Sequence, residues 1–280
     1  MPHPDEAISE ELFRAREEVQ RLREVINRLT PPLETLLKRR GFRVHTKDPV
    51  EDLVLPAPQS INAYYALLRK YSFRFFLRDV IKHQDLFTLP DVAKYAAAGV
   101  TESYIEALLP MGLLERREGG YALAKRPVTS FGPTLEWYFS EVLRREFGAE
   151  AAWGVKFRKR AGGGDYDVLA KVDGSLLYAE VKSSPPKQIY DSEIAAFLDR
   201  RDDLAPELAV FFMDTELRMK DKIVSLFEAA LAAKQPEPPP VMRIERELFH
   251  IGSRIFIVNA KEDIARNLAR VFSAFYRRSE

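Results

Sequence analysis

Apolar and polar positions along the chain alternate with two different periods, and the switches between them mark its elements. Near the N-terminus Ile8, Leu12, Ala15, Val19, Leu22, Ile26 and Leu29 recur at four-three spacing with charged residues between them, which predicts a helix with a coiled-coil seam. Thr30-Pro31-Pro32 ends it, because a helix rarely continues into two prolines. After a proline-punctuated connector with room for one short strand, residues 60–83 carry Tyr64, Leu67, Leu68, Tyr71, Phe75, Phe76 and Val80 on one helical face, with Ser60 as cap. The next stretch reads as a helix over 90–97, a turn at Gly99, a helix from a Thr101 cap, and a hairpin of 113–117 with 121–124 around Gly119-Gly120. Phe131 to Gly148 returns to helical spacing through Leu135, Phe139, Val142, Leu143 and Phe147.

The period then drops to two. Tyr166 to Val172 and Leu176 to Lys182 flank Asp173-Gly174, a strong signal for a two-residue hairpin turn. Counting outward from that turn sets Asp167 opposite Glu180 and Asp165 opposite Lys182. Opposed residues share a face, so Asp165, Asp167, Glu180 and Lys182 are expected on one side and Val168, Ala170, Leu177, Ala179 and Val181 on the other. Opposed β-carbons lie about 5 Å apart, close enough for two carboxylates to repel unless a cation sits between them. Mg²⁺ or Mn²⁺ meets that need, since such hard ions take one or two carboxylates and complete their shell with water and phosphate oxygens. A neighbouring lysine orients or deprotonates a water, and the set suits phosphodiester hydrolysis. The competing interpretation is a solvated strand face whose charges simply pair.

Asp167-Val168-Leu169, a hairpin, and Glu180-Val181-Lys182 together resemble the PD-(D/E)xK nuclease superfamily, the restriction-endonuclease-like group that includes Holliday-junction resolvases. The resemblance spans Phe131 to about Glu216. It implies a third carboxylate early in the preceding helix, where Gly132 to Glu136 fits the spacing; Glu141 is the weaker substitute. It thereby assigns Asp167, Glu180 and Glu136 to the metal, with the Val181 carbonyl as a possible helper, and Lys182 to the attacking water. Asp165 and Gln188 are secondary candidates, Gln188 standing in for the glutamine some members carry after the lysine. The family's proline is absent, Tyr166 standing before Asp167. The segment 90–124 resembles a winged helix-turn-helix, although its second helix offers Glu102 and Glu106, which repel a DNA groove and suit a protein partner better.

The expected fold is therefore α/β: a restriction-endonuclease-like mixed sheet flanked by helices, preceded by an N-terminal helix and a winged-helix-like α+β domain. The expected boundaries are 1–30 for the helix and possible homodimer contact, 31–57 for a connector, 58–128 for the winged-helix-like domain and 129–280 for the nuclease-like domain. Leu208 to Met213 reads as a buried strand and Asp191 to Asp203 as a helix; after a helix over 217–233 and the linker QPEPPP come a hairpin through Phe249 and Phe256 and a last helix over 261–278.

Charge and composition refine this. With 43 basic and 42 acidic residues the net charge is only +1, so nucleic-acid binding must rest on local patches, and Lys156, Arg158, Lys159 and Arg160 form one beside the charged hairpin. There is no cysteine, which excludes disulfides and thiolate chemistry. The charged N-terminal stretch gives no sign of a signal peptide and no apolar run is long enough for a membrane span, so a cytoplasmic protein is expected. The partner expected is nucleic acid, DNA before RNA. The alternative from another class is a non-cleaving binding or regulatory protein that keeps a nuclease-like domain.

Overall fold

Asp173 and Gly174 take left-handed φ values of 46° and 83°, closing the hairpin at the two residues the sequence marks for it. The computed structural model describes residues 4–94, 97–158 and 165–277. In chain order its elements are α1 (Pro4–Leu29), α2 (Leu33–Arg39), β1 (Val44–Thr46), α3 (Ile61–Leu68), α4 (Tyr71–Lys82), α5 (Leu89–Val92), α6 (Ala98–Leu108), β2 (Leu114–Arg117), β3 (Gly120–Leu123), α7 (Gly132–Phe147), β4 (Glu150–Phe157), β5 (Tyr166–Val172), β6 (Ser175–Lys182), α8 (Asp191–Leu204), β7 (Leu208–Met213), α9 (Ser225–Lys234), β8 (Val241–Glu245), β9 (Leu248–Ile251), β10 (Ile255–Asn259) and α10 (Ile264–Arg277).

Eight strands form one mixed sheet in the order β1-β4-β5-β6-β7-β10-β9-β8. The pairings β6 with β7 and β7 with β10 are parallel, and the others are antiparallel. The fold is thus α/β, with helices on both faces of the sheet.

Alternation along β7 explains the layering. Leu208, Val210 and Phe212 join one apolar core, which also holds Phe139 of α7 and Leu268 of α10. Ala209, Phe211 and Met213 join the other, with Phe197 of α8 and Phe227 of α9. Each such aromatic or branched side chain contributes roughly 1.5–3 kcal/mol by leaving water. The first core also takes in Tyr64, Phe73, Leu77, Leu108 and Leu123, so it runs unbroken across residues 128 and 129. Polar links reinforce that continuity: Val54 N–H donates to Thr134 Oγ1 at 3.0 Å, and buried Arg74 pairs with Asp214.

Several boundaries differ from the sequence reading. The helix expected over 60–83 is two helices, because Lys70 takes an extended backbone with ψ 120° and breaks the ladder. Gly99 and Thr101 lie inside α6, which starts at Ala98, so the turn and cap expected there are not formed. Residues 33–39 form α2, and β8 extends the sheet beyond the expected hairpin. Among the described residues no helix is long and apolar enough to cross a membrane.

Candidate active site

From the turn outward the register is the expected one as far as the ladder runs. Val168 faces Ala179 and Val172 faces Ser175, which carries Asp167 to Glu180 at the open end of the hairpin. There β5 and β6 splay, and Asp167 Oδ2 accepts a hydrogen bond from Val181 N–H at 2.7 Å, bridging the two strands. Glu136 approaches from the fifth residue of α7, whose start Pro133 favours and which Leu135 and Phe139 anchor on the sheet. It accepts a hydrogen bond from Gly154 N–H on β4. Gly154 has φ +54°, and a Cβ there would lie 2.8 Å from Pro49, so the close approach requires glycine.

Glu180 is only 2% exposed and fully partnered. Both of its oxygens accept from Arg200 Nη2 at 2.7 Å, Lys182 Nζ lies 2.8 Å from Oε1, and the Tyr178 hydroxyl donates to Oε2. Arg200 Nε in turn donates to Tyr178 Oη at 2.8 Å. Neither Tyr178 nor Arg200 was identified from the sequence. Tyr178 stands two residues before Glu180 on the same strand face, a signal available in the alternation; Arg200 needs the docking of α8 and had none.

Burial alone would raise the Glu180 carboxyl, but Lys182 and then Arg200 outweigh it and hold it below the ordinary range. Its neighbours go the other way. Burial, then the charges of Glu180 and Asp165, push Glu136 up to about 7. Burial, then Glu180 and Glu136, push Asp167 well up. For Lys182 burial opposes the charge, yet Glu180 and Asp167 prevail and raise it. One carboxylate is thus neutralised by cations, while burial and neighbouring carboxylates disfavour the charged forms of Glu136 and Asp167, an effect Lys182 offsets only in part.

The three carboxylates do not close into a cage: among the described residues no three acidic, histidine or cysteine side chains are placed to hold a metal ion together. The donor chemistry nonetheless fits a hard divalent ion, which needs one or two carboxylates, because Glu136 and Asp167 carry repulsion that such an ion would relieve. Of the remaining candidates, Asp165 pairs with Lys156 at 2.9 Å, both about half exposed. Glu141 is taken up by Arg144 and Arg145 at 2.9 and 2.7 Å and does not join the site. Gln188 is exposed on a single 3-10 turn, Pro186–Gln188, and the hydrogen bonds of the described residues do not tie its side chain to the carboxylates. Arg158 is exposed and its N–H donates to Arg43. Lys159, Arg160 and the glycines at 162–164 lie outside the described residues.

The fold has counterparts among solved structures. Can2 from Sulfobacillus thermosulfidooxidans, solved with cyclic tetra-adenylate, aligns with a TM-score of 0.51 at 12% identity over 87% of this chain and 60% of its own. Protein VC1899 from Vibrio cholerae aligns with a TM-score of 0.51 at 15% identity over 87% of this chain and 62% of its own. The likeness is one of fold. The chain spans about three fifths of each of these proteins. No family model matches the sequence, and no curated protein matches it.

Proposed function

We propose that this protein is a divalent-metal-dependent nuclease of the PD-(D/E)xK type that hydrolyses phosphodiester bonds of DNA. The observation that carries the reading is the Glu136–Asp167 pair, whose charge Lys182 offsets only in part, set beside an ionised Glu180 and a charged Lys182 at one end of the sheet. The neighbour solved with cyclic tetra-adenylate adds that a related fold occurs in a protein that binds an oligonucleotide.

In this reading Asp167 and Glu136 would hold Mg²⁺ or Mn²⁺, which supplies charge stabilisation at the phosphate and leaving oxygen. Val181 N–H fixes the Asp167 carboxylate, and Gly154 N–H fixes Glu136. Arg200 and Tyr178 keep Glu180 ionised, and Glu180 keeps Lys182 charged and aimed. Lys182 then orients the attacking water and meets charge developing on the phosphoryl oxygens. Water adds to phosphorus and gives a proton to solvent, the bond to the leaving oxygen breaks, and that oxygen takes a proton from solvent. Lys156 contributes to backbone binding.

The second reading, a non-cleaving nucleic-acid-binding or regulatory protein, is favoured by one observation: Glu180 is already saturated by Arg200, Tyr178 and Lys182. The region 58–128 serves in either reading as a winged-helix-like module for a protein partner. Its Tyr104 is buried against Phe73 and Phe76, and Arg116 and Arg117 pair with Glu106 and Glu115, which leaves little for a DNA groove. A cytoplasmic setting agrees with the absence of cysteine. Incubating labelled DNA with wild type and Asp167→Ala in Mn²⁺, Mg²⁺ and chelator separates the readings. Metal-dependent cleavage by wild type alone supports the nuclease, and equal binding without cleavage by either supports the rival.

A further inference from the structure

We propose that a cleft beside the carboxylates receives a nucleotide that has left the base stack, so that the substrate strand is single-stranded next to the cut. This rests on the nuclease reading for its purpose, but its observations are separate. The cleft encloses about 680 Å³, within the range of roughly 300–1,000 Å³ common for small-ligand sites. It lies at the C-terminal ends of the parallel strands β6 and β7, where α/β sheets bind ligands. Asp214, which lines it, donates its N–H to the Lys182 carbonyl at 2.8 Å, and Pro185 is three residues beyond Lys182.

Its walls are flat and apolar on one side, with Tyr71 and Phe75 of α4 edge to face at 5.7 Å. Its charge is positive. Asp214 is neutralised by Arg74 and Arg78 together, which leaves one positive charge in excess, and Arg78 Nε is buried with no partner. Phe75 and Phe131 hold the Arg78 guanidinium between their rings at 5.2 and 5.5 Å. Lys187, Arg218 and Lys222 line the same cleft with Glu216, and Arg218 also lies 3.7 Å from exposed Asp221 outside the lining. An aromatic wall, a half-buried guanidinium and a cationic rim together match a base and its phosphate. A base inside a duplex has both faces covered and cannot offer one to Phe75.

Fluorescence polarisation in chelator, where no cleavage occurs, tests this with a labelled dT 12-mer, a U 12-mer and a 12-base-pair DNA duplex. Wild type should prefer single strands, and Phe75→Ala should weaken that binding by on the order of tenfold while leaving duplex binding unchanged. The surface variant Lys187→Ala/Arg218→Ala should show the same pattern, without disturbing the Arg78 packing. The two single strands report whether the sugar matters. Tighter duplex binding by wild type, or single-strand binding unaffected in both variants, would overturn the proposal. Because the assay does not involve cleavage, a wild type that never cuts removes the nuclease reading and leaves the cleft to be judged by binding.

A different observation carries a second inference. The seam of α1 is exposed wherever its side chains are described, Leu29 to 77% and Ile26 to 57%, so the chain's own core does not cover it. We infer that a second copy of α1 covers it in a parallel, in-register, two-stranded coiled coil. The heptad places Leu12, Val19 and Ile26 at a and Ile8, Ala15, Leu22 and Leu29 at d, and in its C-terminal half β-branched Val19 and Ile26 at a with Leu22 and Leu29 at d favour a parallel dimer. The flanking charges choose the direction. Glu11 and Glu18 fall at g, Arg16 and Arg23 at e, so a parallel pair sets each glutamate opposite an arginine five residues on. An antiparallel pair would set glutamate against glutamate and arginine against arginine. Glu18 now pairs with Arg21 of its own helix at 2.9 Å, exposed, and can exchange that partner at little cost.

Light scattering should give twice 32.1 kDa, with Glu18→Arg shifting the full chain to monomer and Glu18→Arg/Arg23→Glu restoring the dimer. The chain has no cysteine, so Leu29→Cys provides a clean probe of direction: mild oxidation should give a covalent dimer only when the helices run parallel. A monomeric wild type, or a dimer whose Leu29→Cys form does not cross-link, would overturn this.

Discussion

Replacing Glu136 by glutamine keeps the side-chain volume and removes one ionisation, and that ionisation is costly in the fold. Burial, then the charges of Glu180 and Asp165, raise its pKa from 4.5 to about 7. That difference corresponds to about 3 kcal/mol. The folded protein keeps this proton to higher pH than the unfolded chain does, so stability falls as pH rises through the window. The contribution is fully present below about pH 4.5 and is lost above about pH 7. In chelator, urea unfolding followed through the buried Trp137 and Trp153 should therefore find Glu136→Gln gaining on wild type by up to about 3 kcal/mol between pH 4.5 and pH 8. Asp167 adds to the gain, because it loses a repelling neighbour. Mn²⁺ should stabilise wild type at pH 8 and do so much less for the variant. A stability difference that does not change with pH, or one that grows against the variant as pH rises, would refute the charge assignment.

Arg200→Met should cost about 3–5 kcal/mol in urea unfolding, because Glu180 is left buried with only Lys182 to offset it. Adding Glu180→Gln should restore part of that loss, a coupling that a double-mutant cycle reads directly. Asp214→Asn should destabilise by a comparable 3–5 kcal/mol, since it strands the buried Arg74, only 1% exposed, and frees the α4 helix from the sheet. Gly154→Ala should cost on the order of 1–3 kcal/mol from its φ of +54° and its contact with Pro49, and should weaken metal-dependent stabilisation as Glu136 loses its anchor.

The hairpin was legible because its register depends on local chemistry alone. Asp173-Gly174 fixes the turn, alternation fixes the faces, and Asp167 meets Glu180 without any reference to the rest of the chain. Glu136 came instead from the resemblance, which implies a glutamate four residues after Gly132 on this helix. What sequence could not supply is what comes from distant packing. Arg200 lies 20 residues from Glu180 and reaches it only when Phe197 docks α8 on the sheet. Arg74 is 140 residues from Asp214, and nothing in YSFRFFLRD distinguishes it from the half-buried Arg78 one turn on. The break at Lys70 was missed because the apolar face continues on both sides of it, and periodicity does not register one extended residue. Asp165 was expected opposite Lys182, but it lies just before β5, beyond the paired residues of the hairpin, and its partner is Lys156 of β4.

The most direct test of the central claim is cleavage of labelled single-stranded, duplex and branched DNA by wild type and Asp167→Ala, in Mn²⁺, in Mg²⁺ and in chelator. The account predicts products from wild type only, only with metal, and most readily where the strand is single. Cleavage retained by Asp167→Ala, or proceeding equally in chelator, would contradict it.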